Sequence, residues 1–503
     1  MKLGELLERV QPVEAGVDRN VEITSLAYDS RRVESGCIFF AITGEKTDGH
    51  LFVEEAIRRG AVAIVSEREA PAGFGGRWVR VGKIRRALSA AARCFYDDPD
   101  LKLQLIGITG TNGKTTTAYL LNSIFQAAGT RTGMFGTVEY RLGARTVSAS
   151  NTTPESLDLV TYFHELAANG AQVVILEVSS HALAQERVWG LHFSSAVFTN
   201  LTRDHLDYHH DFEHYFAAKQ RLFEGLGSPP PELAVINVDD VWARRLLALP
   251  NPRRITYGLE LKADVGVKRY SQTRSGLSAI LTTPLGDLEV ESPLLGRANL
   301  LNMLAATATT VGLGIPAEKI QKGLSGLTAV PGRFEKIDEG QPFLVIVDYA
   351  HTDDALRNVL EAARDLTGNR LIVVFGCGGE RDRTKRPLMG EVAGRLSDLP
   401  VLTSDNPRSE DPILIMNDVL VGLQRTGKPY VAEVDREAAI QEAIAQAREG
   451  DVVILAGKGH ETYQILKDKT APFDDRQVAR RILNGLGFHK KELSDANARL
   501  DLR

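Results

Sequence analysis

LIGITGTNGKTTT, residues 105–117, is the stretch from which the rest of the chain can be read. The apolar run 105–108 has the length and composition of a short buried strand. Beyond Lys114 the apolar residues Tyr119, Leu120, Ile124 and Phe125 recur at helical spacing. A strand, a glycine turn and a helix bring backbone N–H groups together at the positive end of the helix, where a phosphate binds. Gly110 and Gly113 permit backbone angles closed to other residues. Thr111 and Asn112 complete the turn, Lys114 adds a point charge for terminal phosphates, and Thr115, followed by Thr116, is the hydroxyl such loops place on magnesium. The strict spacing G-x-x-x-x-G-K-[ST] is not met, because its first glycine falls on Ile108. The strand and helix around it are the context the motif requires, and the plainer alternative is a glycine turn before an ordinary helix.

Around this loop, 503 residues predict about three domains, at 1–100, 101–332 and 333–503. With 43% apolar and 25% charged residues the composition is that of a globular protein, and a net charge of −5 gives no reason to expect nucleic acid or an anionic membrane as partner. The opening MKLGELLERVQPVEAG carries acids and no long apolar core, so a signal peptide is not expected. No run approaches 18 apolar residues, so no membrane span is expected either. Cys37, Cys94 and Cys377 are odd in number and widely scattered, the pattern of reduced thiols in a cytoplasmic protein.

In the first hundred residues the runs 38–42, 61–65 and 78–81 alternate with helical patterns, which predicts a small α/β domain. Its polar clusters Asp29-Ser30-Arg31-Arg32 and Thr43 to Gly49 fall where loops belong, and taken alone both read as turns. After the phosphate loop, buried strands are expected at 172–178, 194–198 and 233–238, with Glu177 at the tip of the first, placed to hold magnesium. Residues 263–292 read as β hairpins, 297–312 as a helix, and Pro331-Gly332-Arg333 as a linker. Beyond it the runs 343–347, 371–375, 401–404, 430–434 and 452–456 alternate with helical segments, which predicts a doubly wound, mostly parallel sheet. Polar residues cluster just past those strand ends, where such sheets bind ligands. Gly376-Cys377-Gly378-Gly379 lacks the dinucleotide spacing. The tail 489–503 reads as a loose helix or frayed end.

The densest polar cluster is 200–223, with His205, His209, His210 and His214 beside Asp204 and Asp207. Histidines this close cannot all face one ion and no H-E-x-x-H is present, so a zinc site is not expected. His205 joining Glu177 at a magnesium is more economical. Lys219, taken alone, reads as a solvated helix lysine.

Ten motifs in order carry a resemblance: TGTNGKTT (109–116), NTTPES (151–156), EVSSHAL (177–183), NLTRDHLDYH (200–209), the AK of FAAKQRLF (216–223), PGRFE (331–335), DYAHTDDAL (348–356), FGCGGERD (375–382), DNPR (405–408) and GKGHE (457–461). Together the chain resembles the Mur ligases of peptidoglycan synthesis, and among them those that add the third peptide residue. The resemblance implies an ATP-dependent amide ligase acting on UDP-N-acetylmuramoyl-L-alanyl-D-glutamate, in which the γ-carboxylate is phosphorylated and then attacked by an amino-acid amine. It implies three α/β domains for UDP-sugar, ATP and amino acid in turn, the central one built around the phosphate loop and the last Rossmann-like. The protein is then a cytoplasmic monomer whose partners are small molecules.

By the same resemblance Gly110 to Thr116 cradle ATP and Lys114 is catalytic, with Thr115 and Glu177 at one magnesium. His205 and Lys219 serve a second, Lys219 as a carbamate, which turns an ammonium into an anionic oxygen donor. Asn302, Arg333, Asp348 and His351 contact nucleotide. Tyr28, Ser30, Glu45, Lys46 and Thr47, then Asn151, Thr152, Thr153, Ser179, Gln185 and Arg187, hold the UDP-sugar dipeptide.

Asp405, Asn406, Pro407 and Arg408 are the family's mark for meso-diaminopimelate, whose second carboxylate needs a cationic fork. Arg381 takes the proximal carboxylate, and Gly457 with Glu461 the distal ammonium. Three rival readings are the same reaction with L-lysine, another amide ligase of the superfamily such as a folylpolyglutamate synthetase, and a nucleotide-dependent switch ATPase. DNPR and GKGHE argue against the second.

Overall fold

Unbroken runs of Val, Ile and Leu become strands buried on both faces, the condition of parallel sheets covered by helices. The computed structural model describes residues 1–44, 47–71, 74, 77–467 and 469–489. Glu45, Lys46 and the tail 490–503 lie outside the described residues. The chain gathers into two compact units: Met1–Leu201, His209–Val265 and Ala305–Ile320 in the first, and Thr202–Tyr208, Gly266–Leu304 and Gln321–Arg503 in the second.

The first unit holds two sheets. The smaller runs in the order Glu14–Val17, Arg77–Arg80, Ala63–Ser66, Cys37–Phe40, Ser25–Ala27, with only the first strand antiparallel to its neighbour. Its three inner strands fall within two residues of the expected runs. The two edge strands were not expected; Glu14–Val17 is mostly exposed and Ser25–Ala27 is three residues long, so neither carries a buried apolar run.

The larger sheet has eight strands, in the order Arg253–Tyr257, Leu233–Asn237, Phe193–Phe198, Gln104–Thr109, Val173–Glu177, Thr132–Phe135, Glu139–Leu142, Arg145–Ser148. The first six are parallel and the last two form antiparallel additions. Gln104–Thr109 is central, with Glu177 paired opposite Ile108 and Phe198 opposite Thr109. Successive strands leave it in both directions, the switch point at which open α/β sheets bind ligands. Helix Lys114–Ala127 follows directly. Helix Phe212–Glu224 is capped by Asp211, whose carboxylate accepts a bond of 2.8 Å from the His214 N–H.

The second unit carries the antiparallel strands Gly266–Thr273, Gly276–Thr283 and Gly286–Ser292, as the hairpin pattern predicts. Its main sheet runs Glu335–Ile337, Leu344–Asp348, Val452–Ala456, Leu371–Phe375, Leu399–Leu402, Val431–Ala432, with only the first strand antiparallel. The run 430–434 yields just two strand residues, because it is a sheet edge that follows Pro429. The short hairpin Tyr463–Leu466 with Lys469–Pro472 was not foreseen.

Beneath this sheet Arg436 and Asp475 form a fully buried fork, Nε to Oδ1 at 2.8 Å and Nη2 to Oδ2 at 2.6 Å. Removing one partner strands the other charge in the interior. Asp475→Ala is expected to cost about 3–5 kcal/mol, read as a lowered urea midpoint by circular dichroism. A loss below about 1 kcal/mol would mean that Arg436 finds water. Among the described residues no helix is long and apolar enough to cross a membrane.

Candidate functional site

At the carboxyl end of the central strand the turn takes the backbone form the glycines were expected to supply. Gly110 has φ 148° and a Cβ there would collide with Thr199 Oγ1, while Gly113 has φ 87° immediately before the helix. The turn is braced from the neighbouring strand: Thr111 N–H donates to the Asn200 carbonyl at 2.9 Å, Asn112 N–H to Asn200 Oδ1 at 2.9 Å, and Thr199 Oγ1 to the Asn112 carbonyl at 2.6 Å. No role was read for Thr199 or Asn200 in the sequence, although a polar pair ending a strand beside a phosphate loop is a usable signal.

Two lysines converge on this turn. Lys114 Nζ donates to the carbonyls of Gly110 and Thr111, at 2.9 and 2.8 Å. Lys219, only 2% exposed, donates to the same Gly110 carbonyl at 2.8 Å and lies 4.3 Å over the Tyr215 ring. Sequence alone made Lys219 a solvated helix residue; the helix Phe212–Glu224 instead presents it to the interior. The Tyr215 hydroxyl is 3.2 Å from Thr111 Oγ1.

Glu177, 1% exposed, lies opposite the turn. Its carboxylate accepts from Thr115 Oγ1 at 3.1 Å, from Thr137 Oγ1 at 3.1 Å and from the Thr137 N–H at 3.1 Å. A hydroxyl and a buried carboxylate oxygen in hydrogen-bond contact are hard donors of the type magnesium takes. Thr137 follows the strand Thr132–Phe135 and carried no sequence signal. Among the described residues no group of three or more His, Cys, Asp or Glu is placed to hold a metal. His209 Nε2 instead pairs with Ser180 Oγ at 2.9 Å, and His214 with Asp211. His205 belongs to the second unit, with φ 52° and Nε2 3.4 Å from Asp204.

The residues expected to hold the dipeptide adjoin Glu177. Thr152 Oγ1 is 3.1 Å from Thr137 Oγ1, and Thr153 Oγ1 donates to the Glu177 carbonyl at 2.8 Å and accepts from the Ser179 N–H at 3.0 Å. Arg187 donates to the Thr153 carbonyl at 3.0 Å and to Gln185 Oε1 at 2.6 Å. Asn151 is tied to this group through Tyr140, whose hydroxyl donates to its carbonyl at 2.5 Å. Ser30, by contrast, is bonded to Glu55 at 3.2 Å, and Tyr28 to Asp158, which Arg32 also reaches at 2.9 Å. Burial and then Asp158 drive the Tyr28 phenol far above its ordinary range. Of the loop Glu45 to Thr47 only Thr47 is described.

In the second unit Arg333 stacks 4.5 Å over Tyr349, which lies beside His351. Asp348 accepts from the N–H groups of Phe334 at 2.7 Å and Ala350 at 2.8 Å. Burial raises the Asp348 carboxyl and lowers His351. Asn302 lies buried on helix Arg297–Gly312, bonded to Asn299 at 3.3 Å.

The loop after Leu399–Leu402 gathers the amino-acid candidates. Asn406 Nδ2 donates to Glu461 Oε2 at 2.8 Å, and Asn406 Oδ1 accepts from the Ile465 N–H at 3.0 Å. Gly457 has φ 115°, with Asp405 Oδ2 2.7 Å from where a Cβ would stand. Arg408 takes the left-handed φ of 54°, its N–H donating to the Ile465 carbonyl and its carbonyl accepting from Lys467, while Nη1 donates to the Gly379 carbonyl at 2.6 Å. Burial, then the neighbouring Arg381 charge, lowers its guanidinium from the usual value. Arg381 itself is exposed. The hairpin at 463–472 pins this loop, a support the sequence did not disclose, and Lys458 is the buried residue it left without a role.

Residues 108–310 match the Mur ligase middle domain, 332–459 the Mur ligase, glutamate ligase domain, and 22–96 the Mur ligase family, catalytic domain. A protein of Solibacter usitatus named UDP-N-acetylmuramoyl-L-alanyl-D-glutamate--2,6-diaminopimelate ligase is 56% identical over 495 residues, covering 98% of this chain and 100% of its own. A solved structure bearing the same name is 35% identical, with a TM-score of 0.68 over 97% of this chain and 100% of its own. A MurF ligase of Thermotoga maritima solved in complex with ADP is 21% identical, with a TM-score of 0.60 over 94% and 98%, a likeness of fold.

Proposed function

The chain belongs to the Mur ligase family, and on that premise we propose that it is an ATP-dependent amide ligase joining meso-2,6-diaminopimelate to the D-glutamate γ-carboxylate of UDP-N-acetylmuramoyl-L-alanyl-D-glutamate. The observation that carries the chemistry is the braced glycine turn with Lys114, Lys219 and the buried Glu177 gathered on it. The relative's name supports the substrates, and the ADP complex of the MurF ligase supports the nucleotide.

The residues divide the work as follows. Backbone N–H groups of 110–116 cradle the ATP phosphates, and Lys114 transfers its hydrogen bonds from the Gly110 and Thr111 carbonyls to phosphate oxygens. Thr152, Thr153, Ser179, Gln185 and Arg187, already bonded to one another or to Thr137 and Glu177, orient the dipeptide so that its carboxylate meets the terminal phosphorus. Transfer of the phosphoryl group gives an acyl phosphate and ADP. The amino-acid amine then attacks the acyl carbon, loses a proton, and phosphate leaves.

Thr115 and Glu177 would hold magnesium, which when bound supplies positive charge against the terminal phosphates. By the resemblance, Lys219 as a carbamate is a ligand of a second magnesium, and His205 is likewise a metal ligand. A carbamylated Lys219 keeps an N–H for the Gly110 carbonyl, so the modification is compatible with the bond observed. Asn302, Arg333, Asp348 and His351 would contact the nucleotide. Tyr28, Ser30 and the loop Glu45 to Thr47 would receive the UDP moiety, and Arg381, Asp405 to Arg408, Gly457 and Glu461 the diaminopimelate. The three stretches 1–100, 101–332 and 333–503 would then serve UDP-sugar, ATP and amino acid, in a monomer working in the cytoplasm.

Phosphate release with ATP, magnesium and the UDP-dipeptide tests this reading. Release is expected with meso-diaminopimelate and not with L-lysine or without amino acid. Release with lysine alone would keep the ligase and overturn its specificity. Release indifferent to all three would make the protein a switch ATPase.

A further inference from the structure

The GKGHE segment contributes a lysine to the amino-acid loop that the proposed function leaves without a task. Lys458 is fully buried, with 0% of its surface exposed. Its Nζ lies 3.1 Å from Asn406 Oδ1, 3.3 Å from Glu461 Oε2 and 3.6 Å from Asp405 Oδ1. A buried ammonium is retained where opposite charge compensates its desolvation, and here two carboxylates do so.

Those two carboxylates are the difficulty Lys458 resolves. Asp405 is buried and Glu461 partly so, and with no cation between them the two like charges would repel each other. Among the described residues, the other charged and titratable groups facing Glu461 are Arg408 from the loop after Leu399–Leu402, Arg436 at the start of its helix, Tyr349 after Leu344–Asp348 and Tyr463 on the hairpin. Arg436 is committed to Asp475, and Arg408 donates to the Gly379 carbonyl. Among the described residues Lys458 is the cation in direct contact with Glu461. Burial, with Asp405, holds the Glu461 carboxyl above the usual carboxylate range, and Lys458 with the Asn406 N–H offsets part of that rise.

We propose that Lys458 is a positioning residue of the amino-acid site: its ammonium holds the Glu461 carboxylate ionised and aimed to receive the distal ammonium of the incoming amino acid. The proposal rests on the reading that Glu461 is the group that receives that ammonium. Without Lys458 the balance at Glu461 moves further toward the protonated form, which is a poor acceptor for a cation. The loss is therefore present at low pH and fades as rising pH ionises Glu461 again.

The test is steady-state phosphate release by the full chain, varying meso-diaminopimelate, for wild type, Lys458→Met, Lys458→Arg and Glu461→Gln between pH 6.5 and 9. Comparing each variant with wild type at the same pH cancels titration of the amino acid. Lys458→Met is expected to raise the amino-acid KM about 30-fold at pH 7 with the ATP KM unchanged, and the ratio to fall at least about fivefold by pH 9. Lys458→Arg, which keeps the charge, is expected to stay within about threefold of wild type. Glu461→Gln is expected to raise KM at every pH without recovery. Should the methionine variant fail to fold, Lys458→Gln, which loses the charge and keeps a donor for Asn406, carries the same comparison.

A Lys458→Met penalty that is flat with pH, or an unchanged KM in that variant while Glu461→Gln raises it, would overturn the proposal and leave the function of the site intact. An unchanged KM in Glu461→Gln would instead overturn the assignment of Glu461, and the proposal with it.

Discussion

Arg408→Ala is expected to raise the meso-diaminopimelate KM by on the order of 100-fold and to leave the ATP KM within about twofold of wild type. The diaminopimelate side chain ends in a carboxylate, and burying that group without its cation costs about 2–4 kcal/mol. The Arg408 guanidinium now donates to the Gly379 carbonyl, so substrate replaces an internal acceptor without leaving the arginine unpaired. Two further features make the site demanding. Its backbone lies at φ 54°, a region that costs a non-glycine residue free energy, and it is held there by bonds to Ile465 and Lys467. Arg408→Lys keeps the charge but not the fork, and is expected to recover less than a tenth of the lost kcat/KM. Phosphate-release kinetics with varied amino acid decide the matter; an unchanged amino-acid KM and kcat in Arg408→Ala would remove Arg408 from the site.

The second large effect is expected at Glu177. Glu177→Gln preserves shape and can still accept from Thr115, yet removes the negative charge proposed to hold magnesium. A drop in kcat of about 10³-fold is expected, with half-saturation shifted to higher magnesium. The amide NH2 would also face donors, because Thr115 Oγ1, Thr137 Oγ1 and the Thr137 N–H all donate to the carboxylate. Thermal melts separate that structural cost from the catalytic one. A variant within about fivefold of wild type at every magnesium concentration would show that Glu177 only supports Thr137.

What could be read from the sequence follows from what periodicity encodes. The runs 105–108 and 371–375 are buried on both faces, so their apolar continuity marks strands without reference to any partner. The glycine turn was equally visible, because Gly110 and Gly113 are where the chain needs angles that side chains resist. Edge strands are half exposed and lack that mark, which is why Glu14–Val17 went unseen. The bracing of the turn by Thr199 and Asn200, the grip of Thr137 on Glu177, and the left-handed Arg408 all depend on contacts between segments far apart in the chain. Lys219 is the sharpest instance: on its own helix it is one lysine among polar neighbours, and only the position of that helix against the turn at Gly110 makes it an interior group.

The interleaving of the two units along the chain bears on synthesis. The strands Leu233–Asn237 and Arg253–Tyr257 form one flank of the eight-stranded sheet, and Gly312 packs closely on Leu233 and Ile255, so that a Cβ there would push their side-chain ends aside. Arg253 also donates to the Gly312 carbonyl at 2.7 Å. The helix carrying Gly312 is translated only after the whole three-stranded excursion 266–292. A nascent chain emerging from the ribosome therefore carries that flank without its cover for the seconds the intervening residues take to appear. During that interval the side chains of Leu233 and Ile255 lack the cover that the helix at Gly312 later supplies, so this flank of the sheet closes only after the excursion is made.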